Sequence, residues 1–197
     1  MFVFAYASLL HPDSLSATLP GVLLSDCVPV WFEGRERTFS VAFPNAGSEP
    51  DKEYRDDAGR RPPAVRFCDL TPSPGSRVNG VCIPVDDAAL MRLRQRERRY
   101  DEVVIAAEVR TYADESMFAH EVVAFIGKQR YRAATRETGV VPAGYLETAV
   151  SGARHWDAVA PGFFDHFRRS TVMPAPHEVV PLTRIDLAFR GPRAGEG

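Results

Sequence analysis

Apolar and polar positions along this chain fall into short blocks rather than long periodic runs. Residues 2–6, FVFAY, are aromatic, β-branched and few, which predicts a buried strand. DSLSATLPG predicts a short helical turn capped by Asp13 or Ser14 and stopped by Pro20 and Gly21. Residues 22–32 and 37–43 read as two strands split by EGRE, a possible hairpin, with Pro29 marking an edge or a bulge. In residues 44–63, PNAGSEPDKEYRDDAGRRPP, no period survives the Pro, Gly and charge. This predicts a long loop, either a disordered surface insertion or a lid or specificity loop. Residues 64–70 and 78–85 predict an antiparallel strand pair joined by the turn TPSPGSR.

A helix is predicted from about residue 87 to residue 98, with Asp86 or Asp87 as its cap. Residues 103–112 and 121–127 fit a strand hairpin around ADESMFAH. Two helices follow, PAGYLETAVSGARHW opened by Pro142 and GFFDHFRRS after Pro161 and Gly162. Residues 190–197 predict a loose tail. Many short strands with one central and two late helices predict a single α+β domain over residues 1–189. Its mixed sheet is expected to be strongly curved and barrel-like, with the helices packed against it. There is no G-x-G-x-x-G, no P-loop and no βαβ rhythm, so a dinucleotide fold is disfavoured.

Composition narrows the function. The chain has 197 residues, 45% of them hydrophobic, enough for a real core. A formal charge of −2 gives no general attraction to polyanions, so neither a nucleic-acid nor a membrane partner is expected. Cys27, Cys68 and Cys82 are odd in number and lack C-x-x-C spacing, which argues for reduced thiols in a cytoplasmic protein. No apolar run approaches the roughly 20 residues of a membrane helix, and no basic segment precedes the first apolar block. The five histidines show no metal-ligand spacing. Ser8 and His11 lack a G-x-S-x-G elbow, so Ser8 reads as a turn-capping or hydrogen-bonding residue.

In the central helix, Leu90 and Leu93 define the core-facing stripe, and a further step of four lands on Glu97. An acid at the edge of a core must be paired, hydrogen-bonded or neutral, and partial burial raises its pKa toward that of a working general base. The plainer account, which spacing alone favours, ends the helix before residue 97 or pairs Glu97 with a neighbouring arginine.

AYASLL together with the helix bearing RLRQRERRY resembles the γ-glutamylcyclotransferase-like family, marked by a Y-G-S-L loop after the first strand and a glutamate in an L-x-x-x-E-G-Y segment. The order of the remaining elements, down to VPAGYLETAVSGARHW, is similar to the family layout over roughly residues 2–171. The resemblance implies that Tyr6, Ala7, Ser8 and Leu9 form a substrate loop whose backbone N–H groups hold the γ-glutamyl group. It makes Glu97 the general base and acid, and Tyr145 a pocket wall or hydrogen-bonding group. The implied reaction closes a γ-glutamyl unit to 5-oxoproline and releases an amine or amino acid, with a small-molecule γ-glutamyl substrate and no cofactor or metal. A second reading keeps the fold without turnover, as a binding protein for a γ-glutamyl-like metabolite. A third makes the chain an interaction protein using residues 44–63.

Overall fold

A computed structural model describes residues 1–45, 52–132 and 139–187 of the chain. In chain order the first half holds β1 (Phe2–Ala5), α1 (Pro12–Thr18), β2 (Val28–Pro44), β3 (Lys52–Arg55), β4 (Ala64–Pro84) and α2 (Asp87–Arg96). The second half holds β5 (Tyr100–Val104), β6 (Val109–Thr111), β7 (Val122–Gly127), α3 (Gln129–Arg132), β8 (Gly139–Pro142), α4 (Ala143–Asp157), α5 (Phe163–Arg169), β9 (Val179–Val180) and β10 (Thr183–Asp186).

The main sheet runs β5-β7-β1-β4-β2-β6, with β8 and β9 added beside β4. Only a short 3-10 turn, Ala106–Glu108, connects its two outermost strands, β5 and β6. A connection that short cannot span an open sheet of this width, so the sheet must curl until its edges approach. The result is the expected α+β architecture, a mixed, curled half-barrel with helices against it.

Alternation along β1 sorts the core into two sides. Val3 and Ala5 face the helices and pack with Leu10, Leu93, Trp156, Phe163 and Phe167. Phe4 and Tyr6 face the inside of the curl with Phe32, Phe39, Leu70 and Val122. The strand is apolar throughout because both of its faces are covered. Its parallel neighbour is β7 and its antiparallel neighbour β4.

Several sequence expectations are corrected. EGRE and TPSPGSR do not reverse the chain: β2 and β4 are continuous strands of 17 and 21 residues, antiparallel to each other. Gly34 and Gly75 both have positive φ, +72° and +80°, but they lie in the stretch where the register shifts, Gly34 between Glu33 and Arg35 and Gly75 within residues 73–76 facing it. Turn residues here build a bulge that bends the ladder. Residues 64–70 and 78–85 therefore pair with β2 and not with each other. Residues 103–112 are broken at Ile105, the first part pairing with β7 through β5 and the last with β2 through β6. Within the expected loop 44–63, residues 52–55 form β3, which pairs with β10 from the far end of the chain. The cap of α1 is His11, whose Nδ1 accepts from the Asp13 N–H at 3.2 Å. Residues 190–197, expected as a tail, lie outside the described residues.

The other helices open as expected. Ala89 N–H donates to Asp86 Oδ1 at 2.7 Å at the start of α2, Pro142 precedes α4, and Gly162, with φ +83°, precedes α5. Among the described residues no helix is long and apolar enough to cross a membrane.

Candidate active site

After β1 the chain turns at Ala7 into a 3-10 turn, Ser8–Leu10, closed by Leu10 N–H to Ala7 C=O at 2.9 Å. Ser8 and Leu9 lie ahead of that first bond, so their N–H groups have no partner inside the turn. Ala7 has φ −140°, outside the left-handed region that favours glycine, although the motif it resembles carries glycine there. Three contacts fix this loop from behind. Trp156 Nε1–H donates to Leu10 C=O at 3.0 Å, and Gly152 of α4 brings that helix against the Leu10–His11 backbone. Arg37, fully buried on β2, donates from Nε to Tyr6 C=O at 2.7 Å. Its Nη1 donates to Thr171 Oγ1 at 2.8 Å and its Nη2 to Asn79 C=O, while the guanidinium lies 4.1 Å from the Phe167 ring centroid. Desolvation pushes Arg37 down to about 10, which still leaves it charged at neutral pH.

Glu97 is the C-cap of α2, so the expectation that the helix reaches residue 98 gives way to an end at Arg96. Its N–H still bonds Leu93 C=O at 2.7 Å, and Tyr100 N–H returns to Glu97 C=O at 2.8 Å. Its side chain is 19% exposed and lies 3.1 Å from Arg96 Nε. Both elements of the plainer account are therefore present: the helix ends, and an arginine is adjacent. Burial nevertheless raises the Glu97 carboxyl above its ordinary range, with Arg96, then Lys52 and Arg99, opposing the rise without cancelling it. Arg96 also donates from Nη2 to Ser8 Oγ at 3.1 Å and from Nη1 to Thr18 Oγ1. One guanidinium thus ties the acid to the loop.

The same cavity, of about 890 Å³, is bordered by Tyr6, Ala7, Ser8, Leu9, Glu97 and Tyr145, so all six sequence candidates meet in one place. It opens along β4, whose second edge carries β1 at residues 81–84 and β8 at residues 64–65, with no strand between them among the described residues. In that gap Cys68 N–H donates to Tyr145 Oη at 3.2 Å, and Tyr100 O–H donates to Cys68 C=O at 2.8 Å. Tyr6 O–H donates to Phe125 C=O at 2.6 Å. Burial holds Tyr6, Tyr100 and Tyr145 well above the usual phenol range, so they serve as neutral hydrogen-bonding groups. The Cys68 thiol, pushed up to about 12 by burial, is not a nucleophile at neutral pH.

Sequence reasoning missed Tyr100, Arg96 and the cationic wall of Lys52 and Arg184. The E-R-R-Y run after α2 was the available signal for Tyr100. Lys52 and Arg184 reach the cavity on the β3–β10 ribbon. Asn45 anchors that ribbon, its side chain receiving Tyr54 N–H at 2.8 Å and donating to Tyr54 C=O at 2.7 Å. Among the described residues no group of three or more His, Cys, Asp and Glu gathers as metal ligands would.

Comparison with solved structures places the fold. A structure described as a γ-glutamyl cyclotransferase superposes with a TM-score of 0.60 at 13% identity, covering 89% of each chain. The chain has the γ-glutamyl cyclotransferase-like fold. YkqA from Bacillus subtilis also shares this fold, with a TM-score of 0.55 at 16% identity, over 86% of this chain and 53% of that one; this chain thus spans about half of its length. A yeast γ-glutamyl cyclotransferase described as specific to glutathione gives a TM-score of 0.51 at 11% identity, over 87% of this chain and 97% of that one. No family model matches the chain, and no curated protein matches its sequence. In this γ-glutamyl cyclotransferase-like fold, the cavity lies where the turn after the first strand meets the end of the first long helix.

Proposed function

We propose that the chain is a γ-glutamylcyclotransferase, closing a γ-glutamyl compound to 5-oxoproline and releasing an amine or amino acid. The observation that carries this reading is the position of Glu97, a desolvated carboxyl in one cavity with the backbone turn of residues 6–9. As carboxylate, Glu97 accepts a proton from the substrate α-ammonium. The freed amine attacks the γ-carbonyl carbon, forming the ring C–N bond and an oxyanion that faces the Ser8 and Leu9 N–H groups. Glu97 returns its proton to the leaving nitrogen as the old amide C–N bond breaks. The extra proton on the ring nitrogen departs with the released amine as its ammonium. The nucleophile is tethered, so much of the entropic cost is already met, and a general base contributes roughly 10²–10⁴-fold. Lys52 and Arg184 supply positive charge for substrate carboxylates. The three buried free thiols suit a cytoplasmic setting.

One observation favours the second reading, a silent binder of a γ-glutamyl-like metabolite: the Arg96 ion pair occupies Glu97 at 3.1 Å and competes with an incoming ammonium. Mass-spectrometric detection of 5-oxoproline from a panel of γ-glutamyl compounds separates the two. The enzyme reading expects release by the wild-type protein and its loss in Glu97→Gln. Binding without release in both proteins refutes it in favour of the binder.

A further inference from the structure

A second cleft, of about 310 Å³, lies where the β2–β4 bulge meets α5, and Arg35, Arg77 and Arg169 line it together with Trp31 and His166. Its arginines come from three different elements, β2, β4 and α5. Basic residues in the last turn of a helix complement its dipole, which accounts for Arg169 but not for the other two. Arg77 is paired with Glu115 at 2.9 Å, whereas Arg35 and Arg169 have no carboxylate partner among the described residues. Glu36 is the acid in the wall, and Thr71 Oγ1–H donates to it at 3.4 Å. The wall remains cationic when Glu36 and Glu115 are both counted.

Aromatic side chains back the guanidinium groups of this cleft. Trp31 is 4% exposed, stacks on Tyr112 with ring centroids 4.9 Å apart, and has the Arg77 guanidinium 4.1 Å from its ring centroid. Its Nε1–H is buried with no hydrogen-bond partner, a costly condition for a donor. Tyr112 Oη lies 2.6 Å from His166 Nδ1. Burial, then Arg169 and Arg77, hold His166 below its usual range, while burial raises Tyr112. Tyr112 O–H also reaches Pro161 C=O at 3.4 Å, so the direction of its hydrogen bond with the neutral imidazole follows the tautomer of His166.

We propose that this cleft is a second binding site, for a phosphate group, free or carried on a small molecule. A planar carboxylate offers two oxygens, fewer than guanidinium groups from three elements can use. A phosphate offers more oxygens, and guanidinium forks match it. The site is independent of the Glu97 cavity, and its test does not depend on turnover.

The experiment is a titration of the full chain with inorganic phosphate, and separately with glycerol 3-phosphate, against sodium chloride at matched ionic strength. It is followed by calorimetry and by the indole N–H resonances, with Trp31 assigned from Trp31→Phe. The expected result is saturable phosphate binding with a shift of the Trp31 indole resonance, weakened at least tenfold in Arg35→Gln and in Arg169→Gln. Both variants replace side chains with no ion-pair partner, and melting curves check that they fold. Tighter binding of glycerol 3-phosphate supports a carried phosphate, and equal binding supports the free anion. No response beyond chloride, a response at Trp156 alone, or undiminished binding in the Arg35→Gln, Arg169→Gln double variant overturns the proposal.

Discussion

Gly152 offers a sharp test of how the loop is held. An ideal Cβ at this position falls 2.5 Å from His11 N, 2.6 Å from Leu10 C and 2.9 Å from Leu10 Cβ. Ordinary carbon contacts lie near 3.5–4.0 Å, so a methyl group requires a separation of roughly 1 Å between α4 and the loop. Two effects oppose each other. Alanine is favoured over glycine in a helix by about 1 kcal/mol, whereas overpacking costs about 1–3 kcal/mol. The first two obstructing atoms are backbone, which cannot rotate away, so the upper part of that range applies and the net loss is about 1–2 kcal/mol. For a chain of this length that corresponds to a fall in Tm of roughly 2–8 °C. Ser8 and Leu9 directly precede the displaced residues, and misplacement by about 1 Å can cost a reaction as much as 10²-fold. Gly144, in the same helix, provides the stability contrast: its Cβ would meet nothing within 4 Å, so Gly144→Ala raises Tm. Differential scanning calorimetry and 5-oxoproline release measure the two effects. A Gly152→Ala protein as stable and as active as wild type refutes the reasoning.

Other substitutions test separate parts of the site. Arg37→Met leaves Tyr6 C=O, Asn79 C=O and Thr171 Oγ1 without their donor, and urea unfolding should show a loss of about 3–5 kcal/mol; a loss under 1 kcal/mol counts against Arg37 as the holder of the loop. Tyr100→Phe removes the donor to Cys68 C=O and should cost about 1–2 kcal/mol in the same assay, with no effect if water takes its place. For Glu97, the folded-state pKa lies above the unfolded one, so protonation favours the fold. Its contribution is fully present below the unfolded carboxyl range and is lost as pH rises through the folded value. Glu97→Gln should therefore melt above wild type at pH 8, with the gap closing toward pH ~4; a gap independent of pH contradicts the raised pKa.

The elements that sequence revealed are those fixed by local signals. β1 was visible as a β-branched and aromatic run, and α2, α4 and α5 through Asp86, Pro142 and Gly162 at their starts. Gly34 and Gly75 misled because positive φ serves a bulge as well as a reversal, and only the facing strand tells them apart. The β3–β10 pairing was invisible because the two strands are far apart in sequence and neither has a strong pattern of its own. At the site, Glu97 stood out as an acid on an apolar stripe, and the loop through its motif. Arg37 left no trace in the pattern, since an arginine in a strand reads as solvated until the structure surrounds it with backbone carbonyls.

The β3–β10 ribbon bears on how ligands come and go. It consists of four residue pairs: β3 is held to the core through buried Tyr54, packed beside Phe43 and Phe67, whereas every β10 position is exposed, so β10 rests on the short ladder. Segments of that kind open at a small fraction of the free energy of global unfolding. The β10 side of the wall, which bears Arg184, can therefore part and re-form many times while β3 and the half-barrel stay intact. Amide exchange in the ribbon would reveal that breathing directly, and a crosslink between its two strands would convert residence time in the cavity into an adjustable quantity.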